Sequence, residues 1–256
     1  MRRTRFGATV YALLSSRADP VVRRNYEWYF QGAVRFIGLK TPEIRKVTRE
    51  VEPLLRSRPV ADLVAECFRL LRSPYAEEKH VAIALLGRNV HRLPPGFLAV
   101  FEPVFDATVH DWGACDHIAS RILRQRLVAT RRDRARIVGW RLASHPWRQR
   151  AAAVAFVQEA RHGRYTREIL TVCRALAQNH DRFVQLGMGW LLRELSLADR
   201  TRTLRFLARH YPRINREALR YAVEKLPAGV RRKVLNDHRA TGAPGALLGP
   251  VARARP

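Results

Sequence analysis

The sequence is short of several things, and each shortage excludes a class of protein. It has only three cysteines, Cys67, Cys115 and Cys173. They lie far apart, with no CxxC pair and no Cys/His spacing of the kind that holds zinc. A scattered, odd set fits reduced thiols packed among helices and a cytoplasmic setting, not a disulfide framework. The longest fully apolar run, Ala151 to Val157, is seven residues, too short to cross a bilayer. The N-terminal MRRTRFGATVYALLSS has a basic start and a weak apolar stretch without a clean cleavage site. It is read as a first helix rather than a targeting signal. Period-two alternation bounded by turn residues is nearly absent, which argues against strands. No strand precedes Gly187-Met188-Gly189, so it is no nucleotide loop. The nine histidines are spread out, and none falls into a metal or triad spacing. No metal and no cofactor are expected.

Acidic charge is also scarce. There are 22 acidic against 48 basic residues, a net charge of +26. Only Lys40, Lys46, Lys79, Lys225 and Lys233 are lysines; the other basic residues are arginines. A GC-rich genome explains arginine in place of lysine but not basic in place of acidic. A compact domain so charged repels itself, so a polyanionic partner is implied, nucleic acid before an anionic membrane surface.

What is present is helix after helix. Apolar residues recur at three- and four-residue spacing, as in Val60-Leu63-Val64-Cys67-Leu70-Leu71 and Ile169-Val172-Cys173-Leu176. Prolines and cap-like residues punctuate them, for example Lys40-Thr41-Pro42-Glu43 and Asn179-His180-Asp181. Beneath this lies a repeat. Tyr75, Trp112, Trp147 and Phe183 each open an aliphatic helix that a more amphipathic one follows, at a period of about 36 residues. Two helices per repeat without the tetratricopeptide residues predict an all-α, HEAT-like helical-repeat solenoid, whose concave face would be a basic groove. Residues 1–239 are expected to form one domain, and 240–256, rich in Gly, Ala, Pro and Arg, a disordered basic tail. Leu226-Pro227-Ala228-Gly229-Val230-Arg231-Arg232 faintly resembles a helix-hairpin-helix loop, but it lacks the second glycine and is read as a turn.

Aligning the repeats isolates two residues. Four positions after each opening aromatic stand Lys79, Asp116, Ala151 and Gly187; seven after stand Ala82, Ala119, Val154 and Trp190. Asp116 is the one acid at its repeat position, and Trp190 a large aromatic where the others are small. Trp112 and Asp116, four apart, share a helix face, as do Trp190 and Arg193, three apart. A tryptophan on an apolar helix more often belongs to a core, and an aspartate near a helix start to a cap; the combination is harder to dismiss than its parts.

Four segments then resemble, in order, the AlkD-like DNA alkylation repair family. They are Tyr29-Phe30-Gln31-Gly32-Ala33-Val34-Arg35-Phe36-Ile37-Gly38-Leu39-Lys40-Thr41-Pro42-Glu43-Ile44-Arg45, Asp111-Trp112-Gly113-Ala114-Cys115-Asp116, Trp147-Arg148-Gln149-Arg150-Ala151-Ala152, and Gly189-Trp190-Leu191-Leu192-Arg193-Glu194. The match runs from about residue 20 to 230. One departure is Gly113, where the family often carries the first Asp of Trp-Asp-x-x-Asp; the second, the catalytic one, is Asp116.

The resemblance implies a DNA glycosylase that hydrolyses the N-glycosidic bond of N3- or N7-alkylated purines in duplex DNA, without base flipping, as a monomer needing no cofactor. Asp116 would be the catalytic carboxylate and Trp112 and Trp190 the walls of the site. Arg150 and Arg193, then Tyr29, Thr41 and Arg45, would contact the DNA backbone. The chemistry is coherent. An alkylated purine is already cationic and leaves without a general acid, unlike an ordinary glycoside. One carboxylate at about 4 Å from the developing oxocarbenium, at an effective dielectric of about 20, is worth about 4 kcal/mol, roughly a thousandfold in rate. Flanking indoles would exclude water and add cation–π stabilisation. Gly113, smaller than Asp, hints at room for bulky adducts, as in self-resistance to a DNA-alkylating natural product. The alternatives are a noncatalytic helical-repeat protein binding distorted or branched DNA, and a protein-binding scaffold of milder expected charge.

Overall fold

The computed structural model describes residues 3–31 and 34–241. The expected basic tail lies, from residue 242 on, outside the described residues. Helices dominate, and among the described residues extended structure is limited to one isolated parallel bridge between Arg35 and Tyr75. The all-α helical-repeat architecture read from the sequence is therefore present. The chain divides into two compact units between Arg126 and Leu127.

The first unit contains α1 (Arg5–Ser15), α2 (Pro20–Tyr29), α3 (Thr41–Val51), α4 (Pro53–Arg56), α5 (Val60–Leu71), α6 (Ala76–Arg88), α7 (Phe97–Thr108) and α8 (Trp112–Ile118). A π-helical turn (Ala119–Leu123) follows and leads into α9 (Arg124–Ala129), within which the boundary falls. The N-terminal stretch is the expected helix: Thr4 caps α1, and Phe6, Val10 and Leu14 are buried. At the centre is α6, whose Val81, Ala82, Ile83, Leu85 and Leu86 are buried and which packs against α1, α3, α5, α8 and the π turn. Gly87 permits the last of these approaches, since a Cβ there would stand 3.1 Å from the Cβ of Arg121 and 3.2 Å from its carbonyl oxygen.

The second unit contains α10 (Arg131–Gly139), α11 (Pro146–Val154), α12 (Val157–Ala160), α13 (Thr166–Leu176), α14 (Arg182–Ala198), α15 (Arg200–His210), α16 (Arg216–Ala222) and α17 (Ala228–Ala240). Here α14 is central, lying against α11, α12, α13, α15 and α16. The apolar run 151–157, too short to cross a bilayer, is wholly buried in the core. Gly189 lets α14 and α16 touch: a Cβ there would meet the carbonyl oxygen of Ala218 at 2.6 Å.

The four repeat aromatics fall where the spacing places them. Tyr75 is the N-cap of α6, Trp112 opens α8, and Trp147 and Phe183 are second residues of α11 and α14. The three cysteines are free and buried. No described helix is long and apolar enough to cross a membrane. Of the segment Leu226–Arg232, read as a turn, only Leu226 and Pro227 lie between α16 and α17; Ala228 to Arg232 are already the start of α17, which Pro227 caps.

Candidate functional site

Each predicted site residue belongs to one unit or the other: Tyr29, Thr41, Arg45, Trp112 and Asp116 to the first, Arg150, Trp190 and Arg193 to the second.

In the first unit the site is built around the start of α8. The carboxylate of Asp111 accepts the backbone N–H of Ala114 at 2.8 Å, an N-cap that satisfies one of the orphan donors of the first turn. Trp112 is thereby the first helical residue, and Asp116 comes one turn later on the same face. Both are half-buried. The hydroxyl of Ser120 donates to the Asp116 carbonyl at 2.7 Å, just where the helix widens into its π turn. Such turns re-space side chains along a helix.

The indole of Trp112 is held by an aromatic pile that the end of α2 supplies. It stacks on Phe30, with centroids 5.3 Å apart and planes 11° from parallel. It also meets Tyr29 edge-on at 6.1 Å. Phe30 rests in turn on Phe36 at 5.2 Å, and Phe36 on Tyr26 at 5.2 Å. The arrangement depends on α2 stopping at Tyr29, after which Gln31 takes a left-handed φ of 51°, a conformation that commonly ends helices. Tyr29 and Trp112, 83 residues apart in sequence, are thus brought together. Phe30 is the residue that sequence reasoning passed over; it stands beside Tyr29 in the same motif, but nothing there showed it lying flat on an indole.

Thr41 and Arg45, both exposed, ride on α3. The segment leading into α3 is tied to α6 by the buried carboxylate of Glu77, which accepts the backbone N–H groups of Ile37, Gly38 and Leu39 at 2.9, 2.9 and 3.1 Å. Gly38 has φ +114°, and a Cβ there would press on the Asp19 carbonyl oxygen at 2.5 Å, so this turn requires glycine. The charge of Arg45 is felt at His117, the neighbour of Asp116. It therefore lies within electrostatic reach of the α8 site.

Behind α8, α6 contributes a histidine and a lysine. His80 and His117 face each other at 4.6 Å between ring centroids. Burial, and then the neighbouring His117 and Lys79, whose charged forms would repel a second cation, push His80 down to about 3. Burial, and then Arg121, lower His117, with Asp116 and Asp111 opposing. The pair is therefore neutral near pH 7 and serves as packing rather than as an acid or base. Lys79 donates to the Thr108 carbonyl at 2.7 Å, closing the C-terminal end of α7. Burial lowers its pKa, and Asp111 opposes. One lysine thus braces the corner from which α8 departs.

A Cβ at Gly113 would stand 3.0 Å from Oδ1 of the capping Asp111 and 3.8 Å from Phe30. On those two sides the glycine adds little room.

In the second unit, Trp190 is a half-buried residue of α14. Arg193 follows three positions later and is engaged by protein groups. It donates to Glu194 at 2.9 Å and to Glu224 at 2.7 Å, and its guanidinium lies 4.6 Å from the centre of the Tyr221 ring. Burial opposes its charged form, and the hydrogen bond to Glu224 leads the groups that outweigh it, so its pKa is raised. Arg150 is 7% exposed and donates to the Phe183 carbonyl at 2.8 Å, linking α11 to the first turn of α14. Gly187 makes room for it, since a Cβ there would meet the Arg150 Cγ at 3.0 Å. The absence of a side chain at position 187 is explained by this arginine.

Comparison with known proteins agrees with the family resemblance. Residues 10–226 match the family model described as DNA alkylation repair enzyme. A solved structure described as "Predicted DNA alkylation repair enzyme from Enterococcus faecalis" superposes with a TM-score of 0.75 at 16% identity, covering 82% of this chain and 97% of that one. At that identity the likeness speaks to the fold. No curated protein matches the chain.

Proposed function

The chain belongs to the DNA alkylation repair enzyme family, and from that premise we propose that it is a DNA glycosylase releasing cationic N3- and N7-alkylated purines from duplex DNA. The observation that carries the reading is the opening of α8. A carboxylate, Asp116, stands one helical turn from an indole, Trp112, that a stack of aromatic rings holds in place. A carboxylate facing phosphates is repelled by them, so a binder has no use for one there. A glycosylase acting on a cationic leaving base does, because positive charge appears on the sugar as the bond breaks.

Asp116 stabilises that charge and orients the attacking water; Trp112 and Trp190 exclude bulk solvent and add cation–π stabilisation. Arg45, Thr41 and Tyr29 hold the backbone from the first unit, Arg150 and Arg193 from the second. Arg150 acts mainly by fixing α11 against α14, given its burial. Residues 1–239 work as one domain and as a monomer, and the damaged base stays in the stack rather than entering a pocket. With roughly six to ten phosphates neutralised, affinity falls about 10³- to 10⁵-fold between about 50 and 200 mM salt.

The test is to incubate the protein with duplexes carrying N7-methylguanine or N3-methyladenine and quantify free base by mass spectrometry, beside Asp116→Asn. Release that depends on Asp116 supports the glycosylase. Salt-sensitive binding without release sends the assay to minor-groove purine adducts; failure there too leaves a noncatalytic binder of distorted DNA.

A further inference from the structure

The α16–α17 hairpin carries a concentration of positive charge that the proposed site does not use. Between residues 216 and 240 there are three carboxylates, and each already has a cationic partner. Glu217 holds Arg182 with an Nε–Oε2 distance of 2.7 Å, Glu224 holds Arg193 at 2.7 Å, and Asp237 holds Lys233 at 3.1 Å. Arg216, Arg220, Arg231, Arg232 and Arg239 have no ion-pair partner among the described residues. They crowd one another: the pKa of Arg216 is lowered, first by burial and then by the charges of Arg239 and Arg220. A fold that gathers this much uncompensated charge is destabilised by it unless a counter-charge arrives.

The charge is organised around a recess. Arg216, Ala228, Arg231, Arg232, Leu235 and Asn236 line an open depression of about 350 Å³. On α17, Arg231 and Leu235 are four apart, as are Arg232 and Asn236, so one helix face supplies the wall. Arg216, from the start of α16, donates to the Leu235 carbonyl and closes the other side. Planar guanidinium groups with several donors each suit phosphate oxygens; Asn236 adds an amide, and Leu235 an apolar surface for a sugar.

We propose that this hairpin recess binds the phosphodiester backbone of duplex DNA, as an anchoring site separate from the Trp112/Asp116 site. Naming DNA as the polyanion rests on the repair reading above. Two further observations support the location. The family model ends at residue 226, so α17 is a feature of this chain beyond the matched region. The recess also adjoins Arg193, which the proposed function places on the backbone: Arg231 donates to the Glu224 carbonyl at 3.4 Å, and the Glu224 carboxylate holds Arg193.

The experiment measures affinity for an undamaged duplex of about 25 base pairs by fluorescence anisotropy, from about 50 to 200 mM salt. It compares the wild type with Arg231→Gln/Arg232→Gln and with Arg161→Gln/Arg167→Gln. The second pair removes the same charge from exposed positions elsewhere in the unit. If each hairpin arginine neutralises one phosphate, the hairpin pair should lower the slope of log affinity on log salt by about 2 and weaken binding at least about tenfold at about 100 mM, while the control pair leaves the slope unchanged. Equal effects of the two pairs, or none from the hairpin pair, overturn the proposal. So does loss of binding to phosphatidylglycerol vesicles with DNA affinity intact, since the partner would then be a membrane surface. Base release from saturating N7-methylguanine duplex should match wild type in the hairpin pair. If the wild type releases no base but the slope difference persists, the glycosylase reading falls and the anchor stands.

Discussion

Two helices carry a tryptophan and a charged residue on one face, α8 with Trp112 and Asp116 and α14 with Trp190 and Arg193, and the surroundings make them different instruments. On α8 the pair sits at a capped helix start, its indole clamped between Phe30 and Tyr29. On α14 the pair lies in mid-helix, and two carboxylates and a tyrosine ring already satisfy its guanidinium. Similar sequence patterns on a repeat scaffold therefore do not imply similar roles. In the proposed function the first arrangement would hold a group still for chemistry, and the second would exchange a carboxylate for a phosphate when DNA binds.

The strongest way to break this contrast is at its centre. Asp116→Asn should cut the rate of base release about a hundredfold or more, about 3 kcal/mol of transition-state stabilisation, while DNA affinity in anisotropy titrations stays within a few-fold. An equally slow Arg193→Ala enzyme with intact binding would erase the distinction. Phe30→Ala tests the clamp. Removing the ring under Trp112 should cost about 2 to 3 kcal/mol of stability in urea unfolding, and base release should slow even at temperatures where the variant is fully folded.

The His80–His117 pair sharpens the picture through pH. His80 has a folded-state pKa well below its unfolded value. The unfolded chain therefore binds more protons below about pH 6.5, and stability is full above that pH and lost as it falls toward about 3. Thermal melts should show up to about 1.4 kcal/mol lost per pH unit below about 6 from this group, and His80→Gln should flatten the dependence. A smaller effect is expected at the cap: Asp111→Ala should cost about 1 kcal/mol and loosen Trp112. Smallest is the exchange on α14. Glu224→Gln frees Arg193 from a competing carboxylate, so DNA affinity should rise about threefold and the salt slope steepen by up to about 1; unchanged binding would mean that Arg193 serves α14 rather than the backbone.

Much of this is legible in the sequence. The helical period, the aromatic repeat of Tyr75, Trp112, Trp147 and Phe183, and the singularity of Asp116 follow from side-chain type and spacing, which local backbone geometry translates directly into faces and starts of helices. The order of the four motifs located the family. The excess of arginine named the kind of partner.

What only the tertiary structure decided concerns neighbours remote in sequence. That Phe30 lies flat beneath Trp112, that Glu77 gathers three backbone N–H groups, that Arg150 is buried where Gly187 yields, and that Gly113 abuts Asp111 and Phe30 depend on how helices pack, and spacing along the chain carries no record of it. The same holds for charge. Composition set the total of +26, but which arginines find a carboxylate and which are left together around α17 was settled by packing, because an ion pair needs its two groups within a few ångströms.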